Sequence, residues 1–188
     1  MKAVRENWLG SQDDLDPERL IFIDESGLST KMARLRGWAP KGERCCAAIP
    51  HGHWKTITFV GALTLAGFVA PMLLDGPLDG ESFLAWVEQM LAPTLRRGDI
   101  VVMDNLAAHK VAGVRQAIEV CGAELHHLPP YSPDLRSKTP SPSSRRMSGS
   151  PLPEPLIDTL ERAAANALRQ FKSDECKNFF AHAGYGLD

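Results

Sequence analysis

The sequence contains little cysteine and almost no net charge, and each of these shortages excludes a class of protein. Its 188 residues include four cysteines, Cys45, Cys46, Cys121 and Cys176, whose spacing matches no disulfide framework. A chain of this length forms a core without disulfides, so the cysteines indicate a reducing cytoplasm and not a secreted scaffold. The formal net charge is −2, so any contact with nucleic acid needs a local basic patch, because the total charge supplies no attraction.

Targeting segments and transmembrane runs are also lacking. Residues 1–16 are charged and carry no apolar signal region. Only the run from Thr56 to Leu74 is long and apolar enough to resemble a membrane span. Its threonines alternate with apolar residues, and two glycines and Pro71 interrupt it, which is typical of a buried β-hairpin. We therefore expect a hairpin with its turn near Ala66-Gly67, in a cytoplasmic protein without membrane contact.

The remaining apolar patterns predict an α/β fold. Two short apolar runs, Leu20–Ile23 and Ile100–Met103, have the pattern of buried strands, and each is followed by an acid. Helical spacing of apolar residues predicts helices over 81–93 and 114–121, and a short strand is expected over 124–128. A three-strand meander followed by alternating helix and strand predicts a mixed sheet with helices on both faces.

The length of 188 residues, with 44% apolar and 23% charged, is that of one globular domain. We divide the chain into an N-terminal lead-in over 1–16, a folded core over 17–135 and C-terminal helices over 156–188. Residues 136–155 are rich in serine and proline and have no helical or strand period, so we expect an irregular, disordered segment there. A last short helix is expected with Ser173 or the following aspartate as its cap.

Two acids follow two of the predicted strands directly, Asp24 after the first and Asp104 after the second. Sites in open α/β sheets form at the carboxyl ends of strands, where two carboxylates repel each other unless a cation lies between them. Their hard oxygen ligands suit Mg²⁺ or Mn²⁺, and two such ions about 3.5–4 Å apart can clamp the attacking and leaving oxygens of a phosphoryl transfer. The alternative is that both aspartates only cap turns.

Four segments, in the same order along the chain, resemble the catalytic domain of one group of bacterial transposases. These transposases belong to the insertion-sequence-630 family, which is related to the mariner elements. The likeness covers residues from about 17 to 135 and resumes at about 156. The segments that carry it are IDES (23–26), LRGWAPKG (35–42), MDNLAAH (103–109) and LPPYSPDL (128–135).

The resemblance implies an RNase-H-like fold and a DDE triad, two aspartates and a third acid, that binds two Mg²⁺ or Mn²⁺ ions to cut and join DNA. By position, Asp24 and Asp104 are the first two members of that triad, and so the implied catalytic residues and metal ligands. Asn105 and His109 match the family's Asp-Asn-x-x-x-His run and are candidate active-site neighbours. His109 lies near the scissile phosphate or has a structural role at the start of a helix. Glu25 adjoins Asp24, but successive strand residues face opposite ways, which favours a neighbour over a ligand.

The third acid of the triad is missing from this sequence. In the family it follows the second aspartate by about 34 intervening residues, which leads here to Thr139. The family continues Asp-Leu with Asn-Pro-Ile-Glu, whereas this chain reads Asp134-Leu135-Arg136-Ser137. Two functions therefore stay open. One is an impaired transposase catalytic domain, and the other is a catalytically dead remnant that binds only DNA or an intact transposase.

Basic residues are concentrated between residues 31 and 55. Lysine and arginine side chains suit phosphate contacts, and a tryptophan among them suits packing on a base or sugar. We interpret this patch as a DNA contact, and the alternative is a solvated loop. Cysteines and histidines in the same range fit no standard zinc-finger spacing. The candidate DNA-binding residues are Lys31, Arg34, Arg36, Trp38 and Lys41.

The resemblance also suggests partners. The family carries a helix-turn-helix region ahead of its catalytic domain, whereas only about 20 residues precede the first predicted strand here. We expect element-end DNA and target DNA as partners. Recognition of the element ends then falls to another segment or chain, as in a split or truncated element. We expect a homodimer, or a partner chain that carries the helix-turn-helix region.

We attribute the missing acid to a shift of reading frame, a hypothesis that the coding DNA tests, with a native linker as the alternative. With one choice of codons, the DNA for residues 136–149 also encodes PIEDAFAKLKAHVR in the neighbouring frame, an amphipathic helix with the missing glutamate in the family's context. We expect the coding DNA to contain this alternative frame from residue 136 to about 156, with the original frame restored before Ile157. Sequencing codons 130 to 160 checks this, and codons without such a frame leave a native linker as the explanation.

Overall fold

The computed structural model describes residues 2–12, 14–29, 38–44, 46, 56–129 and 172–185. The described strands are β1 (Leu20–Ser29), β2 (Thr56–Thr64), β3 (Gly67–Asp75), β4 (Ile100–Met103) and β5 (Glu124–His127). The described α-helices are α1 (Lys2–Gln12), α2 (Gly80–Trp86), α3 (Val114–Val120) and α4 (Ser173–His182). The chain continues from α2 into a π-helical turn, Val87–Leu91, and then a 3₁₀ turn, Ala92–Thr94. Two further 3₁₀ turns are Pro17–Arg19 and Ala107–Lys110.

The strands form one mixed sheet in the order β3-β2-β1-β4-β5. Strand β2 pairs antiparallel with β1 and β3, whereas β4 pairs parallel with β1 and β5. The predicted meander and the alternating part that follows it are therefore confirmed. The apolar run that begins at Thr56 is the predicted hairpin, and its return strand begins at Gly67 with φ at +144°. No helix in the described part of the chain is both long and apolar enough to cross a bilayer.

Strand β1 is longer than its apolar run predicts. The apolar pattern ends at Ile23, but the strand continues to Ser29. The reason is that β1 pairs with its two neighbouring strands over different lengths. Its parallel pairing with β4 ends at Phe22, whereas its antiparallel pairing with β2 continues as far as Ser29 opposite Thr56. Asp24 therefore follows the parallel part of β1 and lies within the strand.

The core lies on both faces of the sheet, which confirms the predicted placement of helices. Alternate side chains of β1 point to opposite faces, so Ile23 packs in the core that contains α2 and α3, and Phe22 packs in the core that contains α4. The Phe22 ring lies 5.1 Å from Phe180 and 5.0 Å from Tyr185 in edge-to-face contacts. Burial of each such side chain stabilises the fold by roughly 1.5–3 kcal/mol.

One helix cap and one whole helix differ from the sequence-based expectation. Helix α4 begins at Ser173, but its cap is Lys172, whose backbone N–H donates to the Glu175 carboxylate at 3.3 Å. The predicted cap is wrong by one position because the acid of the first turn reaches back and supplies the acceptor. Helix α1 occupies most of the N-terminal lead-in, for which no helix is predicted. The predicted irregular segment 136–155 and the helical pattern over 156–171 lie outside the described residues.

Helix α2 begins in close contact with the loop that follows the Ala107–Lys110 turn. Asp79 caps the helix by accepting the Ser82 backbone N–H at 2.8 Å. A Cβ built on Gly80, the first residue of α2, would overlap Cγ2 of Val111. Glycine at this position therefore lets the start of α2 press against the loop.

We expect Gly80→Ala to lower the free energy of unfolding by about 1–3 kcal/mol, because a methyl group inserted into a filled space forces its neighbours apart. Gly10→Ala is the matched control, since a Cβ at Gly10 meets nothing within 4 Å. Alanine is the better helix former in exposed α1, so the control is expected to gain up to about 1 kcal/mol. Urea titration followed by circular dichroism measures both, and equal effects of the two variants would contradict the close contact.

Candidate active site

Asp24 and Asp104 lie at the same edge of the sheet, on neighbouring strands. The last described parallel pair is Phe22 opposite Val102, and each aspartate stands two residues beyond its member of that pair. Both side chains are partly buried. The Asp24 carboxylate accepts the backbone N–H of Glu25 at 2.9 Å. The parallel pairing of β1 with β4 therefore places the two predicted acids at equivalent positions along adjacent strands.

The two consecutive acids of β1 belong to opposite faces of the sheet. Phe22 packs in the core that contains α4, and the two-residue period of the strand places Asp24 on that face. Ile23 packs in the core that contains α2 and α3, and Glu25 follows on that side. The contacts of Glu25 agree with this period, because its carboxylate lies next to a side chain of the 3₁₀ turn packed against α2.

That side chain is His109, which lies between two carboxylates. Its Nδ1 is 2.8 Å from Oδ1 of Asp104, and its Nε2 is 3.3 Å from Oε2 of Glu25. The His109 side chain is 1% exposed, against 17% for Glu25 and 27% for Asp104. Neither contact is aligned as a good hydrogen bond, so both are chiefly ionic. Candidate ligand atoms of the three residues lie within 4.8 Å of one another.

The two carboxylates raise the pKa of His109 to about 9. Burial of the ring acts in the opposite direction, because it disfavours the charged form. The close approach of Asp104 and of Glu25 outweighs that penalty. In the metal-free chain this pKa favours the imidazolium form of His109 near neutral pH, in which neither ring nitrogen has a lone pair for a metal. In that state it acts as the cationic partner of the two acids.

The turn that carries Asp104 is held by contacts to β5 and by its own backbone. Oδ1 of Asp104 accepts the backbone N–H of Leu106 at 3.0 Å. The ring Nδ1 of His127 lies 3.2 Å from the Asp104 carbonyl oxygen. Asn105, predicted as an active-site neighbour, donates from its side-chain amide to the carbonyl of Leu128. Its described contact is therefore with the backbone after β5, which anchors the turn.

Several predicted residues lie away from this cluster or outside the described residues. Trp38 and Lys41 are exposed in the described segment 38–44, and Trp38 is fully exposed. Lys31, Arg34, Arg36 and Thr139 lie outside the described residues. The structure therefore brings together Asp104 and His109 and adds Glu25 to them, whereas the sequence favours Glu25 as a neighbour of the site over a ligand. The sequence feature that points to Glu25 is the pair of consecutive acids, Asp24 and Glu25. The two-residue period of a strand places one of them on each face of the sheet.

The donor set at this edge fits a divalent cation. Carboxylate oxygens of Asp104 and Glu25 are hard ligands of the kind that Mg²⁺ and Mn²⁺ prefer, and a neutral His109 ring would add a nitrogen that Mn²⁺ accepts. Buried polar atoms of Glu25 and His109 have no aligned hydrogen-bond partner. Asp24, at the equivalent register position on β1, offers a further carboxylate at the same edge.

We expect the metal-free chain to lose stability between pH 6.5 and 8.5. His109 has a pKa raised to about 9 in the folded state, against an ordinary value of 6.5. Its contribution is fully present below pH 6.5 and is lost as the pH rises through about 9. The slope is at most about 1.4 kcal/mol per pH unit. Burial lowers the pKa of His127, so its opposite contribution acts below this window.

The measurement is a set of urea titrations in a chelating buffer across that range, with His109→Gln as the control. The slope is expected to disappear in the control, which cannot become charged. An unchanged slope in His109→Gln would contradict the buried ion cluster.

Residues 19–137 match the family described as DDE superfamily endonuclease, which is more than half of the chain. No curated protein sequence matches the chain. Among solved structures it is similar to the Mos1 mariner paired-end complex with Mn, with 15% identity and a TM-score of 0.68 over 97% of this chain and 57% of that chain. The Mos1 strand transfer complex is 15% identical, with a TM-score of 0.66 over 100% of this chain and 61% of that chain. The catalytic domain of Mos1 mariner transposase is 13% identical, with a TM-score of 0.57 over 100% of this chain and 93% of that chain.

These structural likenesses establish the fold. The chain spans about three fifths of the Mos1 chains in the two complexes and nearly all of the Mos1 catalytic domain. The mixed sheet with helices on both faces is thus the RNase-H-like fold that the sequence motifs imply. Membership in a family rests on the sequence match, which includes β1, β4 and both aspartates. The chain belongs to the DDE superfamily of endonucleases and has the fold of a mariner-type transposase catalytic domain.

Proposed function

We propose that this chain is the catalytic domain of a DDE transposase that cleaves DNA phosphodiesters and joins the freed ends to target DNA. The observation that carries this proposal is the register of β1 and β4, which places Asp24 and Asp104 at equivalent positions on one edge of the sheet. The family match over residues 19–137 supports it. The proposal assigns 17–135 to the catalytic core, 1–16 to a lead-in and 156–188 to helices that complete the domain.

The proposed cofactor is Mg²⁺ or Mn²⁺, held by Asp24 and Asp104. Solved structures similar to this chain include Mos1 mariner paired-end complexes with Mg and with Mn. When bound, such ions generate a water-derived nucleophile and stabilise the leaving oxygen of the phosphodiester. The two aspartates supply the negative charge that attracts the ions and orients them against the sheet edge. Their mutual repulsion, unfavourable without a cation, adds to the drive for binding.

The proposed partner is DNA. Trp38 and Lys41 are exposed, as a phosphate and base contact requires. Related structures include a Mos1 transposase paired-end complex with the left transposon end. A homodimer, or a partner chain that carries a helix-turn-helix region, is a further proposed partner. Lys31, Arg34 and Arg36 extend the proposed DNA contact along the sequence.

The sequence at the third acid favours a second function. Thr139 stands where the family carries a carboxylate, and a threonine hydroxyl supplies no negative charge to a metal. A chain with two acids of three is impaired in cleavage. If cleavage is lost completely, the chain is a remnant that binds DNA or an intact transposase without cutting DNA.

We expect weak Mn²⁺-dependent nicking of element-end DNA by the chain, and we expect Asp104→Asn to abolish it, because one ligand loses its charge. Glu88→Gln is the matched control, since it removes one negative charge from an exposed position on the continuation of α2. Nicked and linear products of a plasmid that carries the element ends measure the activity. Nicking that persists in Asp104→Asn would overturn the proposed function.

A repaired chain separates the two candidate functions. In it, the peptide PIEDAFAKLKAHVR replaces residues 136–149. If the chain is an impaired transposase, the repaired chain is expected to cleave at least tenfold faster than the original. A repaired chain that cleaves while the original shows no cleavage at all supports the remnant. Absence of cleavage in both would contradict the assignment of Asp24 and Asp104 as catalytic.

A further inference from the structure

The buried arrangement behind Asp104 is unusual because a histidine there touches two acids from different strands. Glu25 lies on β1 and Asp104 follows β4, and His109 lies on the 3₁₀ turn that follows them in the chain. Nδ1 of His109 faces Asp104 at 2.8 Å and Nε2 faces Glu25 at 3.3 Å. The ring therefore connects the Asp104 carboxylate to the opposite face of β1 from Asp24.

Oδ1 of Asp104 is held from two directions. The backbone N–H of Leu106 donates to it at 3.0 Å, and Nδ1 of His109 approaches it at 2.8 Å. The hydrogen bond from Leu106 and the ionic contact with His109 together restrain the rotation of the carboxylate about its Cβ–Cγ bond. The direction of the second oxygen, Oδ2, is fixed as a consequence.

The His109 ring is itself held rigidly. It is 1% exposed, and its centroid lies 4.4 Å from that of the Phe83 ring on α2, with 37° between the planes. Glu25 contacts the far nitrogen, so the ring cannot rotate without losing an ionic contact. Close packing of Gly80 against Val111 keeps the start of α2 pressed on the loop that follows this turn.

We propose that His109 and Glu25 are positioning residues that hold Asp104 in the orientation needed to bind a divalent metal ion. This inference rests on the proposed function, in which Asp104 is a metal ligand. Asp24 and Glu25 then have separate roles on the two faces of β1. Asp24 binds the ion directly, and Glu25 fixes the ring that fixes Asp104.

The geometry favours this role over two simpler ones. A buried ion cluster kept for stability alone is a weak expectation, because the cost of desolvating the charges offsets much of their attraction. A direct metal-ligand role for His109 is disfavoured because both ring nitrogens already face carboxylate oxygens at 2.8 Å and 3.3 Å. Groups that orient a metal ligand typically change metal affinity by about 10–100-fold when they are removed.

The test measures Mn²⁺ affinity by electron paramagnetic resonance of free Mn²⁺, on the full chain and without DNA. His109→Asn keeps an amide donor near the position of Nδ1, towards Asp104, whereas His109→Gln keeps one near Nε2, towards Glu25. We expect the Gln variant to bind Mn²⁺ about 10–100-fold more weakly than the original chain, and the Asn variant to stay within about threefold of it. Glu25→Asp retains the charge but shortens the reach to the ring, so we expect a loss between those of the Asn and Gln variants.

His126→Gln is the matched control, because His126 lies on β5 in a more exposed ion pair with Glu124 at 3.2 Å. Its affinity is expected to be unchanged, and circular dichroism verifies that each variant folds. Equal losses in the Asn and Gln variants, or original affinity in both the Gln variant and Glu25→Asp, would overturn the positioning role.

Asp104→Asn separates the two proposals. If it abolishes Mn²⁺ binding while the histidine and glutamate variants do not weaken it, only the positioning role fails. If it leaves binding intact, the proposed function fails and the positioning role fails with it.

Discussion

The parallel pairing of β1 with β4 is the constraint on which the rest of the site depends. Antiparallel strands would place Asp24 and Asp104 at opposite ends of the sheet, whereas parallel strands in this register place them at one edge. In the proposed site, repulsion between these two carboxylates adds to the drive for binding a cation. The core formed on both faces of the sheet provides the stability that holds these acids in place.

A strand that changes neighbours along its length allows one segment to carry two functions. Beyond Phe22, β1 no longer pairs with β4, yet its pairing with β2 keeps it extended through Asp24 and Glu25. Extension preserves the two-residue period, so consecutive acids point to opposite faces. One face receives the acid assigned to the metal, and the other receives the acid that contacts His109. A turn directly after Ile23 would have removed this separation.

Local patterns in the sequence predicted the strands and the hairpin, because apolar runs are local features. The full length of β1 could not be predicted in this way, since it depends on pairing with β2, which is distant in the chain. The Glu25–His109 contact was missed for the same reason. It exists only because a 3₁₀ turn places His109 under Phe83, and neither residue signals the other at the sequence level. The predicted cap of α4 was wrong for a local reason. The Glu175 carboxylate in the first turn accepts the backbone N–H of Lys172, so the cap lies one residue before the expected serine.

In the proposed metal site, the missing third acid changes how the remaining residues contribute to metal affinity. The affinity of oxygen sites for divalent cations rises with the number of charged ligands and with the rigidity of the site. A chain that carries Thr139 in place of a carboxylate has lost charge, so rigidity accounts for a larger share of the affinity that remains. The contacts that hold Oδ1 of Asp104, from Leu106 and His109, supply that rigidity. In a complete triad, three charges could compensate for a loosely held ligand. The proposed site has two, so we infer that its affinity for an ion depends on the orientation of Asp104.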